Sequence, residues 1–376
     1  MSTRTETPQV KVVPKAKHSV SFKQIVVPGY EEVLHVQDPS TKLSAIISIH
    51  NTTLGPALGG TRIHPYATFE EALQDVLNLS RGMTYKSAMS DSEFGGGKSV
   101  IIANPKTEKT PELLTSFAHA VNELKGKYIC AEDVGSTLED MLHIRKTTPY
   151  VTGLPGANGS GDPSPFTAWG TFRGIQSVLQ KKFGSPSVLK RKIAVQGLGH
   201  VGQELLRFLF WEGADLIVTD IDSLKIQKAE KLYGCKGVKP EDIFSIECDV
   251  FAPCAMGGAI NEKTLPLLRC KAIAGCANNQ IQKEEIAVKL FEKGILYAPD
   301  FVINAGGLIN VIGELSKNGY HPSAPKEKTH KIFDTLMSIY EISEKNQIST
   351  QKAAISLADY RLKYGIGKRT EPLYFH

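Results

Sequence analysis

The stretch KIAVQGLGHVGQELLRFLFWEGADLIVTD, residues 192–220, decides the fold. Residues 192–196 read as a strand and run directly into Gly197-Leu198-Gly199-His200-Val201-Gly202, a GxGxxG. Val201, Leu205, Leu206 and Leu209 then recur at helical spacing until Gly213, and the next apolar run ends on Asp220. Strand, glycine turn, helix, strand and acid in that order form a dinucleotide site, whereas a GxGxxG without those flanks is an ordinary turn. Gly197 permits the tight turn, Gly199 lets a pyrophosphate approach the backbone, and Gly202 lets the helix lie close to the strand. The helix start at His200 and Val201 offers unpaired N–H groups and the positive end of the helix dipole. Asp220 can accept hydrogen bonds from ribose hydroxyls and repels a 2′-phosphate. The expected cofactor is therefore NAD rather than NADP.

Downstream, residues 249–252, 271–274 and 295–298 are further short apolar strands between helical stretches. With 192–196 and 215–219 they predict a parallel, doubly wound sheet. Helices over about 327–345 and 350–363 close the sequence and are expected to pack back on the first domain. Upstream, TGLPGANGSGDPSP (152–165) concentrates Gly, Pro and Ser as a loop or hinge does. Before it, 44–50, 99–103 and 127–131 read as strands. Thr68 with Glu71 predicts a capping box and a helix to about residue 81. Thr110-Pro111 opens a helix whose Leu114, Phe117, Ala118, Val121 and Leu124 share one face and which Gly126 ends. Ser136 with Glu139 is read as the cap of another helix.

A chain of 376 residues exceeds one compact core, so two domains are expected. With 41% hydrophobic and 22% charged residues, the chain has the composition of an ordinary globular protein. It contains no apolar run of the ~18 residues a membrane span needs, and its start lacks the pattern of a secretory signal. The net charge of +5 is concentrated at the beginning, where Arg4, Lys11, Lys15 and Lys17 face only Glu6. This basic leader, residues 1–20, is expected to be disordered. Without interleaved aromatics it does not read as a nucleic-acid arm. The six cysteines make no CxxC pair and no zinc spacing, which predicts reduced thiols, a cytoplasmic protein and no metal.

Three segments in the first half carry chemistry: Pro56-Ala57-Leu58-Gly59-Gly60-Thr61-Arg62; Gly82-Met83-Thr84-Tyr85-Lys86 with Gly95-Gly96-Gly97-Lys98; and Ala131-Glu132-Asp133-Val134-Gly135. Lys98 closes what reads as a triple-glycine turn just before an apolar strand. Burial there lowers a lysine's pKa and lets it act as a base.

These segments, with FAPCAMGG (251–258), GCANNQ (275–280) and VINAGG (302–307), resemble the glutamate/leucine/phenylalanine/valine dehydrogenase family from about residue 30 to about 360. The resemblance implies an α/β protein of two domains. One is an N-terminal catalytic and oligomerisation domain, 21–150, joined by the C-terminal helices 331–376. The other is a Rossmann-type NAD-binding domain, 151–330. It implies Lys98 as the base that activates water and Asp133 as the group exchanging protons with the substrate nitrogen. Lys86 binds the substrate carboxylate, Gly59 and Gly60 line the site through their backbone, and Asn279 helps hold the substrate. Asn278 and Thr167 lie by the nicotinamide. The implied reaction converts an L-amino acid, NAD⁺ and water to a 2-oxo acid, ammonium and NADH in a homo-oligomer, with no nucleic-acid or membrane partner.

Leu58 and Val311 stand where the family's glutamate enzymes hold the side-chain carboxylate with a lysine and a serine. An apolar pocket does not repay desolvation of a carboxylate, so glutamate should be excluded. Ala131 resembles leucine enzymes and Leu308 departs from them. Leucine or another branched aliphatic amino acid is favoured, with phenylalanine or tryptophan as alternatives. A non-catalytic NAD- or amino-acid-binding relative is disfavoured because Lys98, Asp133 and Lys86 occur together. A 2-hydroxy-acid dehydrogenase would need a His–carboxylate pair, and His50, His64 and His119 sit in no such motif. Asp91 and Glu93 raise a further question: pointing inward, they would hold the Lys98 proton more tightly.

Overall fold

The computed structural model of the chain describes residues 10–12, 19–156 and 159–376. They divide into two units. The first takes the described residues to Gly161 together with Val311–His321 and Arg361–His376; the second takes Asp162–Asn310 and Pro322–Tyr360.

The first unit contains β1 (Val10–Val12), β2 (Ser21–Ile25), β3 (Glu32–Asp38), β4 (Leu43–Asn51), β5 (Ala57–His64), α1 (Phe69–Met89), β6 (Gly95–Ile102), α2 (Pro111–Glu123), β7 (Tyr128–Glu132) and α3 (Leu138–Arg145). Its seven strands run β1-β2-β3-β4-β6-β5-β7. β1 through β4 and β6 are antiparallel neighbours, whereas β5 lies parallel to both β6 and β7. Successive side chains of a strand face opposite ways, so the sheet has two cores. Ile47, Ile49, Ile63 and Ile101 pack with Leu114, Phe117 and Val121 of α2. Val33, Ile46 and Val100 pack with Ala72 and Val76 of α1.

The second unit holds α4 (Ser164–Phe183), β8 (Lys192–Gln196), α5 (His200–Trp211), β9 (Asp215–Thr219), α6 (Ser223–Tyr233), β10 (Lys236–Gly237), β11 (Val250–Pro253), β12 (Ala272–Ile273), α7 (Glu284–Glu292), β13 (Leu296–Tyr297), α8 (Asp300–Ile303), most of α9 (Gly306–Ile312), α10 (Ser323–His330), α11 (Ile332–Asn346) and most of α12 (Thr350–Tyr364). Its six strands, ordered β10-β9-β8-β11-β12-β13, are all parallel, giving the doubly wound sheet the alternation predicted. The order reverses between β8 and β11, and ligands of such sheets bind at the strand ends beside that reversal.

Several expectations are corrected. Of the leader, residues 1–9 and 13–18 lie outside the described residues. Val10–Val12 is a strand paired antiparallel with β2 rather than a disordered tail, and Val20 is buried in the first core. The helix opened by Thr68 does not stop near 81 but runs to Met89, because Thr84, Ser87, Ala88 and Met89 are buried. Only half of its capping box forms: Thr68 accepts from the Glu71 N–H, while Glu71 accepts from Ala67. The cap of α3 is Thr137 with Asp140, one residue beyond the expected pair. The closing helices do not join the first domain as a block. α11 and α12 up to Tyr360 belong to the second unit, and only Arg361–His376 returns to the first. Gly170 and Gly174 of α4 leave the space that Ile332 and Leu336 of α11 fill, and Thr350 Oγ1 donates to the Tyr297 carbonyl at 2.7 Å. Among the described residues no helix is long and apolar enough to cross a membrane.

Candidate active site

The triple glycine before Lys98 is not a turn but the start of β6, and each glycine is required by what lies against it. A side chain on Gly96 would collide with the backbone of Thr84 in α1, and one on Gly97 with the Tyr128 ring. Helix α1 therefore lies unusually close to the sheet. Residues two apart share a strand face, so Lys98 faces α1 as Gly96 does. Lys86 is carried on that helix, near its end.

Asp133 arrives from the turn after β7. Its N–H donates to Ser136 Oγ at 2.9 Å, and that hydroxyl donates to the Thr61 carbonyl at 2.8 Å. Ser136 is therefore occupied in pinning this turn to β5, and so it is not the helix cap. Gly60 is the other requirement: a methyl group there would fall 2.7 Å from the Asp133 Cβ. With that space open, the Asp133 carboxylate forms a direct ion pair with Lys98 Nζ.

Lys98 is 5% exposed. Burial lowers its pKa to about 7, reinforced by the positive charges of Arg62 and Lys86 and opposed by Asp75. Burial disfavours the ammonium by desolvation, and the two neighbouring cations add direct repulsion. Gly59 lies between the neighbouring strands, its carbonyl accepting the Tyr128 hydroxyl at 2.8 Å. Leu58 is buried, and Ala131 is half-buried opposite Gly60. Val311 is half-buried, and its carbonyl lies 3.1 Å from the Thr152 hydroxyl oxygen.

In the second unit Gly197 has φ of +98°, a conformation that favours glycine. A side chain on Gly202 would strike the Gly197 carbonyl, so α5 lies tight against the loop. Around Gly199 a Cβ would meet nothing, and Gly199 caps α5 without a side-chain hydrogen bond. His200 is exposed and Val201 half-buried at this helix start. Space beside Gly199 and a helix start lacking a side-chain cap fit a pyrophosphate. The Asp220 carboxylate already accepts the N–H of Leu198 at 2.6 Å and of Asp222 at 2.9 Å, clamping the glycine loop. Each oxygen retains a second lone pair for a ribose hydroxyl. A cavity of about 790 Å³ opens beside it, lined by Ile221, Ile226, Val238 and Pro240, a size that accepts an adenosine.

Asn278 and Asn279 are exposed in a turn beyond β12, and Asn279 holds φ of +51°. Two residues not singled out from sequence fix them: Asp300 accepts the Asn279 N–H, and Asn304 Nδ2 donates to Asn278 Oδ1 at 2.8 Å. Thr167 lies in the first turn of α4, where Gly307 leaves room for its hydroxyl. Leu308 is half-buried on α9, three residues before Val311 and so on the same helix face.

The chain matches the family profile "Glu/Leu/Phe/Val dehydrogenase, dimerisation domain" over residues 30–150 and "Glutamate/Leucine/Phenylalanine/Valine dehydrogenase" over 221–363. It is 47% identical to a leucine dehydrogenase of Geobacillus stearothermophilus over 343 residues, 91% of this chain and 93% of that one. The chain belongs to the glutamate/leucine/phenylalanine/valine dehydrogenase family. It is an oxidoreductase of amino acids. A phenylalanine dehydrogenase of Caldalkalibacillus thermarum is 45% identical, covering 92% of this chain and 94% of its own. The crystal structure of L-tryptophan dehydrogenase from Nostoc punctiforme superposes with a TM-score of 0.81 at 43% identity, covering 90% of this chain and 97% of that one.

For this dehydrogenase the question over Asp91 and Glu93 is answered by two arginines. Arg361 Nη1 lies 2.8 Å from Asp91 Oδ1, and an Arg369 nitrogen lies 3.7 Å from Glu93 Oε2. Arg62, named only as part of its segment, and Asp75 and Tyr66, which the sequence did not single out, extend the Lys98–Asp133 pair: Arg62 lies 3.6 Å from Asp133 and 2.9 Å from Asp75, which accepts the Tyr66 hydroxyl. All six cysteines are free thiols, and among the described residues no three His, Cys, Asp or Glu side chains gather as a metal site.

Proposed function

We propose that the chain is an NAD-dependent dehydrogenase that oxidatively deaminates an apolar L-amino acid, leucine or another branched aliphatic one first and phenylalanine or tryptophan next. The observation that carries the reading is a buried Lys98, its pKa lowered to about 7, paired with Asp133. When bound, the nicotinamide dinucleotide supplies the hydride acceptor. Gly197, Gly199, Gly202, His200 and Val201 would hold its pyrophosphate, Asp220 its ribose, and Thr167 and Asn278 its nicotinamide end. Lys86 fixes the substrate carboxylate as a point charge, with Gly59, Gly60 and Asn279 orienting the rest. Neutral Lys98 takes a proton from the water that adds to the imino carbon. Asp133 takes a proton from the substrate ammonium before the hydride leaves and returns it to the carbinolamine nitrogen; the C–N bond then breaks, ammonia departs and the hydroxyl proton passes to solvent, leaving the 2-oxo acid.

Leu58, Ala131 and Val311 of the first unit would give the side-chain end of the substrate an apolar surround, which would exclude glutamate by desolvation, and Leu308 is the residue of the second unit we assign to the substrate. A panel of leucine, valine, phenylalanine, tryptophan and glutamate, followed by NADH formation, should give turnover with the aliphatic substrates foremost and none with glutamate. Robust activity on glutamate would reverse the reading of Leu58 and Val311. No turnover on any amino acid, with dinucleotide still bound, would favour a regulatory relative. Substituting NADP⁺ for NAD⁺ should lower kcat/KM by about 100-fold, because a 2′-phosphate would lie against the Asp220 charge. Equal use of both would remove Asp220 from that role. We also propose a homo-oligomer of cytoplasmic location. Light scattering that gives the mass of one chain would exclude the oligomer.

A further inference from the structure

We propose that Arg62 is a positioning residue for the Lys98–Asp133 pair: it shares the Asp133 carboxylate with Lys98 and so sets how readily Lys98 releases its proton. The inference rests on the dehydrogenase reading above and concerns a residue that reading leaves without a role. Arg62 lies on β5 two residues beyond Gly60, on the strand face that Asp133 overhangs. Its Nη2 is 3.6 Å from Asp133 Oδ1, while Lys98 Nζ contacts Oδ2. Its Nη1 is 2.9 Å from Asp75 Oδ2, and Asp75 in turn accepts the Tyr66 hydroxyl. A guanidinium fork spans two carboxylates in fixed geometry, which an ammonium does not do.

One buried carboxylate held between two cations has a specific consequence. If Lys98 were the sole partner of Asp133, losing its proton would strand a largely buried anion, which costs several kcal/mol. Arg62 keeps Asp133 paired in both protonation states of Lys98, and its own charge disfavours the ammonium. The other charged groups around Lys98 are Lys86 and Asp75 of α1 and Asp133 itself. β4 places uncharged Ser48 opposite Lys98. On that same face of β4, His50 is held on Thr84 Oγ1 at 2.8 Å and kept below its ordinary pKa by burial.

The test uses two readouts across pH: kcat/KM on the preferred amino acid, and the rate at which an amine-reactive reagent labels Lys98 in the dinucleotide-free protein, followed by peptide mass spectrometry. Arg62→Gln should raise both midpoints by about one pH unit, the low end for loss of a nearby charge. Arg62→Lys, which keeps the charge without the fork, should restore them part of the way. Asp75→Asn should move both midpoints downward, since it removes a charge that favours the ammonium and frees Arg62 toward Asp133. A purely structural Arg62 would lower activity equally at every pH and leave both midpoints in place, and that result overturns the proposal. If Arg62→Gln does not fold, Asp75→Asn decides alone, and unmoved midpoints there also overturn it. A wild-type protein that turns over no amino acid defeats the dehydrogenase reading instead, and labelling still judges Arg62.

Discussion

Replacing Lys98 with alanine should lower kcat by about 10³-fold, within the range a positioned general base contributes, while dinucleotide binding persists. The separation is expected because Lys98 lies in β6 of the first unit, whereas the glycine loop and Asp220 lie in the second. Stopped-flow turnover and calorimetric NAD⁺ titration measure the two halves. Unchanged turnover would reject Lys98 as the base. The wild-type pH profile carries the same information with a definite sign. Lys98 is lowered from 10.5 to about 7, and only its neutral form accepts a proton from water. Activity should therefore be full above that value and fall as pH drops through about 7. An unperturbed lysine would instead require pH above 10.

Glu314→Ala should cost on the order of 4 kcal/mol, a large loss for a substitution outside the chemistry. Glu314 is buried, and its carboxylate accepts the Thr152 hydroxyl at 2.9 Å and the N–H groups of Gly153 at 2.9 Å, Leu154 at 3.2 Å and Ser160 at 2.7 Å. Removing it takes away the acceptor that these groups share. Urea unfolding gives the loss, and hydrogen exchange at Gly153, Leu154 and Ser160 locates it. Protection at those amides equal to wild type would show that the loop holds without Glu314. The Gly- and Pro-rich composition of 152–165 reads as a loop or hinge, and its described part is tied down by Glu314, 160 residues beyond Leu154.

That contrast marks what local chemistry reveals. The dinucleotide loop was legible because every requirement lies within residues 192–220: the strand, the positive φ at Gly197, the close helix at Gly202 and the acid at Asp220. Lys98, Lys86 and Asp133 were singled out through the family resemblance. Their surroundings were not. Three glycines in a row suggest a turn by propensity, and only the closeness of α1 and Tyr128 explains why they form a strand instead. Ser136 and Thr137 are both acceptable caps, and the choice was made by the Thr61 carbonyl 75 residues earlier. The closing helices carry periodicity that says they are amphipathic without saying which face of which unit they meet. Gly170 and Gly174 on α4 provide that answer, and nothing in the helices themselves encodes it.

The arginine clasp on the loop before Lys98 bears on how the chain is made. Asp91 is synthesised 270 residues ahead of its partner Arg361. At roughly 5–20 residues per second, that loop spends about 15–50 s at the ribosome without its clasp. The residues of the second unit emerge during that interval. A chain halted before Arg361 would thus carry nearly all of its dinucleotide-binding half and an unfinished half bearing Lys98, so premature termination near the end of translation falls hardest on the part that was translated first.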